Sequence, residues 1–264
     1  MPRSIWKGAV SFGLVTIPVR VYGATETKDI SFRQVHPEDG GRIRYKRVCE
    51  VCGKEIPFAE IAKGYETADG RMAILTDEDF ASLPSAEGKT VDVVQFVEVS
   101  QIDPTYFEKT YVLEAEKTGT KPYILLRQSL ADSGKAAVVR LALRARESLA
   151  LIRPVDDVLI LHTMLWPDEV RDTSFAAPEG DVKVSDAEVS MAKMFIEQLS
   201  ADFDPTAFTD TYREELEKVV EAKLEGVEPP TEETTQKPAE VVDLVAALRA
   251  SVEAAKKRRE AAAS

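Results

Sequence analysis

Residues 136–165 read AAVVRLALRARESLALIRPVDDVLILHTML. Apolar and polar positions alternate over 136–145. Val139, Leu141, Leu143 and Ala145 fall on one side, and Val138, Arg140, Ala142, Arg144 and Arg146 on the other. A period of two predicts strands with one face on a core. Residues 147–153 and 158–165 are two further β-rich runs, separated by the turn Pro154-Val155-Asp156-Asp157. Hairpin-length connections join antiparallel neighbours, so this stretch predicts an antiparallel sheet or barrel.

The pattern extends outward. Val15, Ile17, Val19 and Val21 share one face of a predicted strand over 15–22, in which Pro18 argues for an edge or a strand boundary. Arg42, Arg44 and Lys46 alternate with apolar or aromatic residues over 42–48, predicting another strand. Residues 91–99 and 110–114 add two more. A short helix begins at Thr76 as its N-cap, and a longer one is predicted over 122–130, stopped by Gly134. The periodicity becomes helical after Pro178. Ser185 and Glu188 make a capping box, a second helix covers 209–224 and ends at Gly226, and residues 227–238 have linker composition. A last helix over 239–255 carries the stripe Val241, Leu244, Val245, Leu248, Val252. That stripe suits either a partner-docking element or a helix that closes the fold.

The chain has 264 residues and a formal net charge of −12. Such a sum argues against nucleic-acid binding until it is resolved by region. Residues 1–54 hold ten Lys/Arg against five Asp/Glu, and residues 127–153 hold six against two. Local basic zones on an acidic body predict a surface that faces a polyanion. Arg42, Arg44 and Lys46, and then Arg140, Arg144 and Arg146, would form rows of cations able to contact a phosphate backbone. Lys7, Arg20, Arg33, Arg47 and Arg127 complete the candidate set. The competing reading is a solvated face whose cations pair with carboxylates.

The two cysteines, Cys49 and Cys52, form a single C-x-x-C followed by Gly53. This is half of a zinc knuckle. The reading favours a reduced structural turn, with zinc binding across a dimer or with acidic ligands as the alternative; no other cofactor is expected. His162 sits in an apolar run and reads as a hydrogen-bonded core histidine. No catalytic signature stands out, so an enzyme is not expected. No stretch has the length and hydropathy of a membrane span, and the N-terminus lacks a signal-peptide pattern, so a cytoplasmic protein is expected.

Four blocks then carry a resemblance. They are Arg3-Ser4-Ile5-Trp6-Lys7-Gly8 through Ile17-Pro18-Val19, Arg44-Tyr45-Lys46-Arg47-Val48-Cys49-Glu50-Val51-Cys52-Gly53, Leu161-His162-Thr163-Met164-Leu165-Trp166-Pro167 through Arg171, and Met191-Ala192-Lys193 through Asp204-Pro205 with Asp210-Thr211-Tyr212-Arg213. Together and in this order they resemble the bacterial Ku family over most of residues 1–225. The resemblance implies an α+β fold with an antiparallel β-barrel core (1–180), a helical arm for dimerisation (181–226), the linker (227–238) and a C-terminal helix with a short basic tail (239–264). It implies a homodimeric ring that threads double-stranded DNA ends, protects them in non-homologous end joining close to the nucleoid, and recruits the ATP-dependent DNA ligase D. Met194, Phe195, Leu199, Phe203, Tyr212 and Leu216 would then meet the second chain, and the Val241–Val252 stripe would engage the ligase. Some members carry a long lysine-rich tail; here the sequence ends Lys256-Lys257-Arg258-Arg259 and five further residues, so tail-driven binding to internal DNA is expected to be weak. A different class remains open: an acidic oligomeric interaction hub that does not bind DNA.

Overall fold

The computed structural model describes residues 2–83, 89–143, 146–180, 182–227 and 244–262. The chain forms two compact units, Met1–Thr173 and Ser174–Ser264. Arg144 and Val241, both singled out above, lie outside the described residues, as do nearly all the linker and the first residues of the last predicted helix.

The first unit is a closed seven-stranded barrel. Its strands are β1 (Trp6–Phe12), β2 (Val15–Gly23), β5 (Thr90–Glu98), β6 (Phe107–Ala115), β7 (Lys135–Leu143), β8 (Arg146–Val155) and β9 (Val158–Met164). The order around the wall is β1-β2-β6-β9-β8-β7-β5. Neighbours run antiparallel except at the closing seam, where β1 and β5 are parallel through Ala9–Thr90, Val10–Val91 and Ser11–Asp92. Closure removes free sheet edges. Between β2 and β5 the chain makes an excursion outside the wall. It contains the hairpin β3 (Lys63–Glu66) and β4 (Met72–Leu75), then the short helix α1 (Asp77–Ala81), capped by the Thr76–Asp79 box.

The barrel interior is filled by Val10, Ile17, Val19, Val21, Val139, Leu141, Ile152 and Leu161, among others. Each is the inward member of an alternating pair, as the period of two requires. Helix α2 (Thr120–Ser133) adds Tyr123, Leu126 and Leu130 to the same core and stops at Gly134, whose φ of 64° suits glycine. One end of the wall is buried on both sides. Ala136, Val138, Leu151 and Met164 point outward and are covered by Ile102 and Tyr106 of the β5–β6 connection. For that reason residues 136–139 form an unbroken buried run, where alternation alone predicts a half-exposed strand.

Two expectations change here. Pro18 does not mark a sheet edge, because β2 pairs with β1 on one side and β6 on the other. The proline is tolerated because pairing with β6 stops at Val19–Ala115, and Gly119 packs against the Pro18 ring in place of a strand. A side chain at Gly119 would bring its Cβ to 2.8 Å from Pro18 Cδ. The predicted strand over 42–48 is also absent. Only isolated bridges at Val35–Arg42 and Val48–Glu55 occur there. Without a neighbouring ladder, alternation in sequence has no sheet to join.

The second unit contains α3 (Asp186–Leu199), α4 (Thr211–Glu225) and α5 (Leu244–Ala262). Ser185 and Glu188 form the predicted capping box, and Asp210 caps α4. Helices α3 and α5 pack against each other. On α3 the half-buried positions are Glu188, Met191, Ala192, Phe195 and Gln198, and on α5 Leu248, Ser251 and Val252.

Tyr123 links the helix to the wall. Its hydroxyl donates to the Leu113 carbonyl and accepts from the Leu159 amide, both at 2.7 Å, where β6 and β9 pair Leu113 with Leu159. Burial pushes the phenol up from its ordinary range. Tyr123→Phe strands two buried backbone groups and is expected to cost about 1–3 kcal/mol. Urea unfolding should show a lower midpoint at unchanged slope; an unmoved midpoint would show that water replaces the bridge.

Candidate nucleic-acid interface

The predicted cations separate into two groups once their surroundings are known. Those on the barrel are largely committed to protein partners. Lys7 and Arg20 face each other across β1 and β2 and converge on Glu116, at 2.9 and 3.2 Å. The Lys7 ammonium, with Arg20 behind it, holds the Glu116 carboxyl below the usual carboxylate range. Arg127 on α2 donates to the Asp156 carbonyl at 2.7 Å and to the Asp157 carboxylate at 3.1 Å. This pins the tight β8–β9 turn, in which Asp156 adopts a left-handed φ of 48°. Arg140 lies on the outer face of β7 opposite Asp92 of β5.

The expected single row Arg140, Arg144, Arg146 is not formed. Strand β7 ends at Leu143, and Arg146 opens β8 as the partner of Leu143. The hairpin therefore places Arg140 and Arg146 on different strands. Alternation in sequence could not reveal that Leu143 and Arg146 pair as neighbours on two strands.

The second group lies on the excursion. Arg33, Arg42 and Arg44 are exposed and, among the described residues, form no ion pair. Lys46 pairs with Glu55 at 2.7 Å, and the Arg47 guanidinium stacks over the Phe58 ring at 5.1 Å. The same stretch of chain exposes the aromatic side chains Phe32, Tyr45, Phe58 and Tyr65. Reading for charge alone misses these aromatics; the run Arg44-Tyr45-Lys46-Arg47 is the sequence signal that could have found them. Cations give non-specific attraction to phosphate, and exposed rings give faces for nucleobase or sugar contact.

Within this segment a hairpin turn carries the cysteines. Cys49 N donates to Lys54 O at 2.9 Å, Gly53 N to Cys49 O at 2.8 Å, and Ile56 N to Arg47 O at 2.8 Å. Gly53 has a φ of 66°, so the turn needs glycine there. Both thiols are free. The backbone N–H of Cys52 foremost, then the Cys52 side chain and the Val51 N–H, bond to the Cys49 sulfur and hold its thiol below the ordinary range.

His162 is fastened from both sides. Arg153 Nε donates to its Nε2 at 3.0 Å, so Nδ1 carries the proton and donates to Thr110 Oγ1, also at 3.0 Å. The Phe107 ring packs 5.2 Å away. Burial first, and then the Arg153 charge, push the imidazole below its ordinary range. Both of its nitrogens are thus hydrogen-bonded within the barrel wall.

The arm presents apolar side chains without a core to bury them. No residue of α3 or α4 is fully buried. Met194, Leu199, Phe203 and Tyr212 are exposed, whereas Phe195 and Leu216 are half-buried. Phe203 stacks with Phe208, centroids 5.8 Å apart. Of the last stripe, Leu248 and Val252 lie on the half-buried face of α5. Among the described residues no group of three or more His, Cys, Asp or Glu is placed to hold a metal ion. No described helix is long and apolar enough to cross a membrane.

Comparison with known proteins adds the following. Residues 11–191 match the family model described as the Ku70/Ku80 beta-barrel domain. The chain is 51% identical over 257 residues to the "Non-homologous end joining protein Ku" of Frankia casuarinae, covering 97% of this chain and 65% of that protein. It is 49% identical to "Non-homologous end joining protein Ku 2" of Saccharopolyspora erythraea, covering 97% and 85%. It is 42% identical to the Mycobacterium tuberculosis H37Rv "Non-homologous end joining protein Ku", covering 97% and 96%.

The His162 arrangement makes a stability prediction. An unfolded histidine gains its proton near about 6.5. Between that value and the lower folded one, the unfolded chain binds more protons, so stability is lost as pH falls through this window. His162→Gln keeps an acceptor for Arg153 without a titrating group. The fall in unfolding midpoint from about pH 7.5 to about pH 5.5 should therefore be shallower in the variant than in the parent; parallel curves would contradict the assignment.

Proposed function

Because the chain belongs to the Ku family, we propose that it binds double-stranded DNA ends without regard to sequence and acts in non-homologous end joining. It does so as a homodimer that encircles the duplex and protects its ends, in the cytoplasm at the nucleoid. The observation that carries this reading is the excursion after Gly23. There, among the described residues, Arg33, Arg42 and Arg44 stand exposed without an ion pair, in a segment that also exposes aromatic rings. Cations on an irregular extended segment can follow a phosphate backbone, but they do not present a helix to read bases in the major groove.

The homodimer is supported by the arm. Apolar side chains as exposed as Phe203, at 80%, are seldom left in water in such number on a small helical unit. A second copy of the same arm would cover them and give a two-fold interface. The reading is of a scaffold that holds ends, in keeping with the structural use of His162. Recruitment of the ATP-dependent ligase D falls to α5. Because α5 packs on α3, its ligase-binding surface would be the face turned away from α3.

Two measurements test the proposal. Linear duplex should bind more tightly than a covalently closed circle of equal length at the same salt; equal affinity would remove end recognition. Retention of neither form at low salt would instead favour an acidic interaction hub. Arg42→Glu with Arg44→Glu should weaken binding alike on unrelated sequences. Each lost phosphate contact should lower the slope of log affinity against log salt by about 0.9. Lys7→Glu should do less, because Glu116 already neutralises that site.

A further inference from the structure

Two adjacent cations of the excursion are held in different ways. The Lys46 ammonium lies 2.7 Å from the Glu55 carboxylate, which sets a negative charge against it. Arg47 forms no ion pair among the described residues, and its guanidinium carbon lies over the Phe58 ring, 5.1 Å from the centroid. The backbone brings these two side chains together. Ile56 N donates to Arg47 O at 2.8 Å, Pro57 follows with a φ of −59°, and Phe58 opens a single 3-10 turn in which Ile61 N donates to Phe58 O at 3.2 Å. Phe58 belongs to neither core cluster and is 74% exposed, so core packing does not account for a phenylalanine here.

The two modes of holding differ chemically. A carboxylate neutralises the cation it pairs with. A ring attracts a cation through its quadrupole and leaves the positive charge in place. The ring also restrains a long side chain that otherwise loses its rotamer freedom on meeting a ligand. A cation held on a ring is therefore ordered beforehand and still able to bind an anion. The surrounding stretch favours an anion as well: residues 42–54 contain Arg42, Arg44, Lys46 and Lys54 besides Arg47, against Glu50. Phosphate suits a guanidinium, whose fork of N–H donors matches two of its oxygens. Phe80 holds Lys63 in similar fashion, 4.2 Å from the centroid, but Glu60, Glu66, Asp77, Glu78 and Asp79 flank that pair in sequence and disfavour phosphate there.

We propose that Arg47 contacts the phosphate backbone of duplex DNA and that Phe58 is its positioning residue, holding the guanidinium without neutralising it. This rests on the DNA-binding reading above and gives an exposed ring a role in it that requires no contact between ring and DNA.

The test is a titration of the full-length chain with linear duplex at several salt concentrations. Arg47→Ala should lower affinity and reduce the slope of log affinity against log salt by about 0.9. Phe58→Leu should lower affinity about two- to fivefold at unchanged slope, because the cation remains. Phe58→Tyr, which keeps a ring, should bind as the parent does. The double variant Arg47→Ala with Phe58→Leu should bind as Arg47→Ala alone does, since the ring acts only through the arginine. A further loss in the double variant overturns the positioning role, because the ring then serves DNA directly or the fold in general. Parent affinity for Phe58→Leu overturns it too, and an unchanged slope for Arg47→Ala overturns the phosphate contact. In each of these cases the parent still binds linear duplex and the DNA-binding reading stands. A parent that retains no duplex at low salt overturns both.

Discussion

Closure of the barrel is the constraint on which the rest depends. Once β5 lies parallel to β1, the wall is complete and no strand can be added. Everything between β2 and β5 must therefore remain outside, with only its own short contacts to shape it. That exclusion puts the basic segment in solvent. A segment that buries little apolar surface gains little from burial, so its conformation follows from turns, local bonds and whatever it binds. The barrel wall thus acts as a rigid frame with one long segment held at both ends.

The frame is stiffened where it is most exposed to strain. The β8–β9 turn holds a non-glycine residue in left-handed backbone, and Arg127 fixes it from α2. The same helix reaches the β6–β9 pairing through Tyr123. A few residues along in the wall, Arg153, His162 and Thr110 form a chain of hydrogen bonds across β8, β9 and β6. Three of the polar side chains that a functional reading would single out are thus tied into the scaffold. Function is left to residues the scaffold does not use.

The legible parts of the fold were those decided by periodicity and capping. The β7, β8 and β9 strands, α2 with its Gly134 stop, and the Ser185 and Thr76 caps follow from local chemistry that tertiary packing does not override. What misled was pattern without context. Arg42, Arg44 and Lys46 alternate as a strand would, but a strand exists only where a neighbour offers a ladder, and sequence spacing does not record neighbours. Arg140 and Arg146 alternate in sequence but lie on two different strands, β7 and β8, a change that spacing does not record. Pro18 suggested an edge because single-chain reasoning could not foresee that β6 stops pairing one residue earlier. Strand β1 is absent from the sequence reading, since Trp6-Lys7-Gly8-Ala9-Val10-Ser11-Phe12 has weak alternation of its own.

The net charge of −12 can be understood in the same terms. The basic zone at 127–153 does not add to a DNA-facing surface as its arithmetic suggested: Arg127 and Arg153 hold the barrel together, and Lys135 and Arg140 sit opposite Glu98 and Asp92 in the β5–β7 register. A cation that faces a carboxylate, as Arg127 does at Asp157, contributes less field at a distance than an unaccompanied one. On the excursion, Arg33, Arg42 and Arg44 form no ion pair among the described residues. An acidic body disfavours a polyanion over much of its surface, and a basic segment offers it a local place of contact. Net charge then disfavours broad adhesion along DNA, and local charge decides where contact is made. The excess of acids and the basic excursion are in that sense one arrangement: the first narrows the surface on which the second acts.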